Sequence, residues 1–519
     1  MLVSIFNDVV GPVMRGPSSS HCAAALRIGQ LARDLMGGEL SEALIEFDRH
    51  GSLATTHASQ GSDMGLFGGF LGWGAADDRL PDSAKHLEQA GTKTRIEVAD
   101  LHDPHPNTYR LTLRNTGDQR KMIAISTGGG MIEVLKIDDH TVSIGGDYHE
   151  TLIWSDKGSS VTDLVRESFA ADEIVNHEHE SQSMVEVRSS QFVPDELIAS
   201  IDAKVGVSSV RQLAPVLPVE SRKDMSVPFT NCAEMLAYDE GANQPLWQLA
   251  VDYECARSGF SRQDVLDRML EIVSIVRRSI QEGINGTEYE DRILGHQSGA
   301  FKQRMEAGKL LNAGLLNRAV LYVTAMMEVK SSMGVILAAP TAGACAGFPG
   351  ATMGAVDEIG GSDEDAAKAM LAGGVIGVFI ATASTFAAEV SGCQAEGGSA
   401  AGMAAAALTH LGGGSLRQSV AASAMALQSS LGMICDPVAN RVEVPCLGRN
   451  VIAASNALSC ANMAMADYDP VIPLDEVIQT MDLVGKSMPR ELRCTCLGGL
   501  SITKTSKEIA QRLRGGCAG

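Results

Sequence analysis

Three cysteines carry the strongest chemical signal in this chain. Cys393 lies in E-V-S-G-C-Q-A-E-G-G (389–398), Cys435 in I-C-D-P-V-A-N (434–440) and Cys446 in V-E-V-P-C-L-G-R-N (442–450). Thiols set in Gly- and Pro-containing turns, joined by small-residue helices, can hold three corners of an iron–sulfur site. A cubane held by three thiolates keeps one iron open, and such an iron is a Lewis acid. The spacing matches no short zinc or ferredoxin motif. Spacing alone fits three buried, inert thiols equally well, because free Cys is among the most buried residue types.

Other stretches offer polar groups at turns. R-G-P-S-S-S-H (15–21) puts Ser18, Ser19, Ser20 and His21 between a Gly-Pro turn and an apolar helix. A hydroxyl there either caps the helix or helps hold a carboxylate against free backbone N–H groups. P-T-A-G (340–343) offers Thr341 and Gly343 in a helix-start turn with a free hydroxyl, with the same two readings. Cys345, next in that turn, reads as a packed thiol. Candidate bases are His21, His57 in H-G-S-L-A-T-T-H-A-S-Q-G-S-D (50–63), and Glu389.

The words around the cysteines, G-C-Q-A-E, C-D-P-V-A and V-P-C with a following R-N, resemble the iron–sulfur L-serine dehydratases. So do G-P-S-S-S-H, G-S-L-A, H-P-N-T (105–108), S-T-G-G-G (126–130), A-A-P-T-A-G (338–343) and C-L-G-G-L (496–500). The resemblance covers an N-terminal β-type region and the whole α-type region. It implies a 4Fe–4S cluster on Cys393, Cys435 and Cys446, no pyridoxal phosphate, and β-elimination of water from L-serine to give pyruvate and ammonia. It also implies that a C-terminal cysteine caps the open iron; Cys517 is the first candidate, with Cys494 and Cys496 as rivals. Two departures stand out. Gln60 occupies the family's histidine position, and Gln cannot serve as a base, while His57 appears three residues earlier. Cys494 and Cys496 stand where the family has Glu and usually Ala. These departures keep open the same chemistry on threonine, a substituted serine or cysteine, and a non-enzymatic sensor.

The elements that must position these groups form an α+β multidomain chain. The 519 residues are 45% hydrophobic but only 4% aromatic, with 54 Gly and 23 Met, which suits close packing of small-residue helices. Residues 1–146 read as a β-type domain with strands at R-I-E-V and Y-R-L-T-L and a tight turn at Gly128–Gly130. Residues 147–219 read as βαββαβ, a ferredoxin-like, ACT-type module that suits a small-molecule effector; its first helix is expected to carry a Ser cap. His177 and His179 lie on a solvated strand face of it. A linker at 215–224 leads to a mainly helical catalytic domain, 227–519. The apolar run 366–390 reads as a buried central helix and not a membrane span. A net charge of −21 disfavours nucleic acid. With no signal-peptide pattern at the start, a cytoplasmic protein, a homodimer acting on a small amino acid, is expected.

Overall fold

Period-two alternation sets up the first sheet. In β1 (Glu42–Asp48) the buried apolar residues are Ala43, Ile45 and Phe47. It pairs in parallel with β2 (Lys93–Ala99) and antiparallel with β3 (Thr108–Arg114); β4 (Gln119–Gly128), β5 (Met131–Ile137) and β6 (His140–Ile144) continue antiparallel. The order is β2-β1-β3-β4-β5-β6. Helix α1 (Ala24–Leu35) buries Ile28, Leu31 and Leu35 in the same core. This computed structural model describes residues 2–179 and 182–515.

The next six elements are β7 (His149–Ser155), α2 (Gly158–Ser168), β8 (Glu173–His177), β9 (Ser183–Ser189), α3 (Asp195–Val205) and β10 (Ser209–Leu213). Their antiparallel sheet has the order β10-β7-β9-β8. One face packs Ile153, Val185 and Val187 under Val161, Val165 and Ile201 of the helices. The other gives Leu152, Trp154, Met184 and Leu213 to the core of the first sheet. Burial on both faces explains the continuous apolar run in β7. The expected Ser cap of α2 is corrected: Lys157 stands at the N-cap without a side-chain cap bond, and Ser159 lies inside the first turn. The connecting stretch after β10 is pinned, because Asn7 exchanges two hydrogen bonds with Val219, at 2.7 and 2.9 Å.

The remainder is mainly helical. In α4 (Arg262–Asn285) a Ser261–Asp264 capping box starts a stripe of Val265, Met269, Ile272, Val273 and Val276, all buried. Around it lie α5 (Leu315–Ser331), α6 (Gly347–Ile359), α7 (Asp363–Ala383), α8 (Ser399–Leu411), α9 (Leu416–Gln428) and α10 (Cys446–Met465). Among the described residues α7 is the one helix long and apolar enough to cross a membrane. Here it is a core helix, buried from Ala369 to Ile380 and packed on α4 and α8. A Cβ at Gly377 would overlap Val9, so glycine lets the N-terminal turn Ile5–Val9 sit on α7. Val13–Met14 then pairs with Ile336–Leu337. That pairing brings 17–21 beside 340–345 and so builds the site from distant segments.

Candidate functional site

Each cysteine is fixed by its local backbone. Cys393 follows Gly392, whose φ of 69° suits glycine, and precedes a widened i→i+5 turn, Gln394–Gly398. Cys435 donates its N–H to the Leu492 carbonyl (2.8 Å), and Cys494 donates its own to the Cys435 carbonyl (3.1 Å). Cys446 is the first residue of α10, where the helix dipole favours a thiolate. One turn on, Asn450 donates to the carbonyls of Cys446 and Gly343, each at 2.8 Å, and accepts the N–H groups of Ala346 and Gly347.

The side chains of Cys393, Cys435 and Cys494 form one small buried cluster with Ala388. Cys393 Sγ, Cys435 Sγ and a Glu396 carboxylate oxygen lie within 4.8 Å of one another. Arg449 donates to Cys393 Sγ at 3.2 Å and pairs with Asp436 at 2.5 Å. All the cysteines among the described residues are free. The Cys435 thiol is pushed up by hydrogen bonding to Cys393 and Cys494 and then by burial; burial also raises Cys446. Such thiols stay protonated alone and release protons to a metal. The donor set fits a thiolate-bound iron–sulfur group: sulfurs from separate segments in a dry pocket, with a guanidinium to offset their charge. Cys345 is buried against Met327, as a packed thiol should be.

The second part of the site centres on His21. It is buried in a widened turn, Ser19–Ala23. Its Nε2 lies 2.8 Å from Thr56 Oγ1, and its Nδ1 lies 3.1 Å from Ser18 Oγ and 3.4 Å from Glu389 Oε1. Thr56 gives its only hydroxyl proton to the Ser52 carbonyl (2.7 Å), so Nε2 must donate and Nδ1 is left as an acceptor. Burial, and then the charge of His57, pull His21 down to about 3, so the ring is neutral. Burial and then Glu396 push Glu389 up to about 7. Oε2 of Glu389 and the buried Asn107 side chain make no well-formed hydrogen bond among the described residues, yet they are neighbours: Asn107 acts to lower the Glu389 carboxyl.

The turn at 340–343 is corrected in one respect. The Thr341 hydroxyl is not free; it donates to Glu396 Oε1 at 2.6 Å. A side chain at Gly343 would strike the same carboxylate. The Ala342 N–H donates to Ser19 Oγ at 3.2 Å, and Ser20 is buried alongside. Ser18 makes no cap bond; its hydroxyl faces His21. His57 is half-buried, with Nδ1 at 2.8 Å from Asp63 and its ring 5.2 Å from Phe47. Gln60 Nε2 lies 3.7 Å from Cys494 Sγ and 3.1 Å from Asn440 Oδ1. The two departures at Gln60 and Cys494 therefore touch in space. Cys496 is held by Asn440, at 2.6 Å. Cys517 lies outside the described residues.

A profile for the serine dehydratase alpha chain matches residues 177–501. L-serine dehydratase 1 of Escherichia coli is 33% identical over 506 residues, covering 94% of this chain and 96% of that protein. The chain belongs to the L-serine dehydratase family. L-serine dehydratase of Helicobacter pylori is 27% identical over 97% of this chain and 98% of its own length. A probable L-serine dehydratase alpha chain of Bacillus subtilis is 34% identical over 56% of this chain and 97% of its own length. As in the full-length relatives, this dehydratase chain carries the β-type and α-type regions fused.

Sequence reasoning passed over four residues of the site. Glu396 and Arg449 lie inside the quoted cysteine motifs, and Asn107 inside H-P-N-T, yet their side-chain directions show only in the fold. Lys330 is the fourth. It sits in α5 within A-M-M-E-V-K-S, and a lysine in so apolar a helix was the available signal.

Proposed function

We propose that the chain is a 4Fe–4S-dependent L-serine ammonia-lyase that converts L-serine to pyruvate and ammonia by β-elimination of water. The observation that carries this reading is that Cys393 and Cys435 gather around Glu396 and Ala388, and that Glu396 in turn acts on Glu389, the neighbour of His21. Cys393, Cys435 and Cys446 would hold the cluster, which when bound supplies a Lewis-acid iron for the departing hydroxyl. Glu389 is the base for the α proton. Its carboxyl titrates near neutrality, the range in which a side chain can both take and return a proton. His21 stands beside it as a positioning neighbour: Nδ1 lies 3.4 Å from Oε1 and is held by the Ser18 hydroxyl, while Thr56 fixes the tautomer. Ser18, Ser19, Ser20, Thr341 and Gly343 shape the turns around the substrate's polar ends. Burial of these groups excludes water until an enamine leaves, tautomerises and hydrolyses.

The βαββαβ unit is on this reading an ACT-like regulatory module. A cavity of about 500 Å³, lined by Asp147, Tyr148, Glu173 and Arg188 together with Asp8 and Met131, offers a small effector both charges. A second reading, the same chemistry on a different β-substituted amino acid, is favoured by the Gln60–Cys494 contact. Anaerobic purification with iron and sulfide analysis, followed by an ammonia-release screen over serine, threonine and cysteine, tests both. Absence of iron sinks the cluster; turnover of threonine or cysteine above serine selects the second reading.

A further inference from the structure

Lys330 is a buried cation near the C-terminal end of α5. It is 1% exposed, and its Nζ has no hydrogen-bond or ion-pair partner among the described residues. An isolated buried charge is costly, and a protein usually pairs such a group or keeps it for a ligand. Lys330 lies near the thiol site, because α5 packs against α10, the helix that Cys446 begins, and its charge is felt at Glu396 and Glu443. It also lines a cavity of about 180 Å³ where Pro17, Ser59 and Gly61 of the N-terminal region face Glu443 of the helical region. Glu443 is itself committed through one oxygen, Oε2, which accepts the N–H groups of Ile293 and Leu294 at 2.9 and 2.8 Å. The other cation of this neighbourhood, Arg449, is already taken by Asp436 and Cys393. Arg441, which lines the same cavity, is paired with Asp291. Lys330 is therefore the uncommitted positive group at the seam of the two regions.

We propose that Lys330 binds the carboxylate of a small zwitterionic amino acid, with Glu443 facing its ammonium. A lone ammonium beside a carboxylate, in a cavity of a few atoms' width, matches a ligand that carries both charges. A neutral or cationic ligand would leave Lys330 unpaired. This rests on the proposed amino-acid substrate and adds the residue that holds its acid end.

The test uses L-alanine, which has no hydroxyl to eliminate, and L-alaninamide, which has no carboxylate. Both are titrated calorimetrically into the anaerobically purified full chain. Lys330→Met should weaken L-alanine on the order of tenfold to a hundredfold, the loss expected for one hydrogen bond to a charged group. L-alaninamide binding and iron content should not change, and Lys330→Arg should restore part of the L-alanine affinity. Turnover of L-serine should show the loss in KM with kcat nearly kept. Unchanged L-alanine affinity in Lys330→Met overturns the proposal. So does an equal loss for both ligands with loss of iron, which would mark a structural lysine. If Lys330→Met does not fold, Lys330→Gln gives the same readout. Iron-free parent protein would sink the cluster reading and leave this comparison of ligands readable.

Discussion

Two regions of the molecule bury charge in opposite ways. In the βαββαβ unit Arg188 gathers Glu150 at 3.3 Å, Glu173 at 2.6 Å and Glu186, and His177 closes on Glu186 at 2.7 Å. Every one of those charges has an opposite partner. At the thiol site Lys330 has neither an ion pair nor a hydrogen bond among the described residues, whereas in the βαββαβ unit even the atoms without a hydrogen bond, Glu150 Oε2, Glu186 Oε1 and Arg188 Nε, belong to groups held in ion pairs. A paired buried network carries a desolvation cost even when intact, its charges offset one another, and removing one partner costs more. An unpaired one is kept against its own desolvation cost, so it is retained for something that binds there. The contrast is one of pairing: Arg188 and Glu173, which line the proposed effector cavity, already hold each other, while Lys330 holds nothing among the described residues.

The largest expected effect breaks the site side of this contrast. Cys435→Ser should lose iron, the visible absorbance of the cluster and all turnover. Cys345→Ser, in a thiol packed on Met327, should keep all three. Iron analysis and an absorbance spectrum decide it; an iron-replete Cys435→Ser would show that the three-thiol assignment is wrong.

Next comes the base. Glu389→Gln should lower kcat by about 10²–10⁴-fold, the usual share of a positioned general base. His57→Ala should cost less than about tenfold, below that range, since its Nδ1 is tied to Asp63. The reverse ranking would return the role to His57. The pH profile sharpens this. Burial raises Glu389 to about 7, and a base must be unprotonated, so kcat/KM should fall as pH drops below about 7 and level off above it. In Glu389→Gln that acid limb should vanish.

The scaffold side has its own test. Arg188→Met leaves Glu150, Glu173 and Glu186 without their shared cation. Glu150 and Glu186 are buried but Glu173 is exposed, so the loss of local stability should fall below the about 3–5 kcal/mol of a fully buried set, while kcat for L-serine stays near that of the parent. A urea midpoint followed by tryptophan fluorescence, beside an activity assay, reads both. A loss of kcat without a shift in midpoint would move the network from scaffold to function.

Sequence patterns revealed different parts of this structure to different depths. The helical stripe of α4 and the six elements of the βαββαβ unit were legible because period and turn residues are local. The three cysteines were legible as words. What touches them was not: Cys494 joins Cys435 through a backbone pairing 59 positions apart, and Gln60 reaches Cys494 across 434. The Thr341 hydroxyl looked free because nothing local claims it; Glu396, 55 residues on, does. Hydrogen bonds between distant segments are settled by the packed core, which the chain's local grammar does not encode.

The smallest expected effect on turnover concerns Cys494. Its thiol lies in the cluster of Cys393 and Cys435, 4% exposed, and its backbone φ of 53° turns it out of regular structure. Cys496, two residues on, is committed to Asn440, and a displaceable ligand must be able to let go and return. If Cys494 supplies a fourth sulfur between turnovers, it competes with substrate. Cys494→Ser should then keep kcat, lower KM for L-serine, and shorten the life of the visible absorbance in air. Removing residues 515–519, and with them Cys517, should change none of these. The opposite pattern, a short lifetime after truncation and a normal one in Cys494→Ser, would give the capping role to Cys517 and leave Cys494 as a packed neighbour of Gln60. Equal sensitivity to both changes would mean that two thiols share the position, and the double variant should then decay no faster than the worse single one.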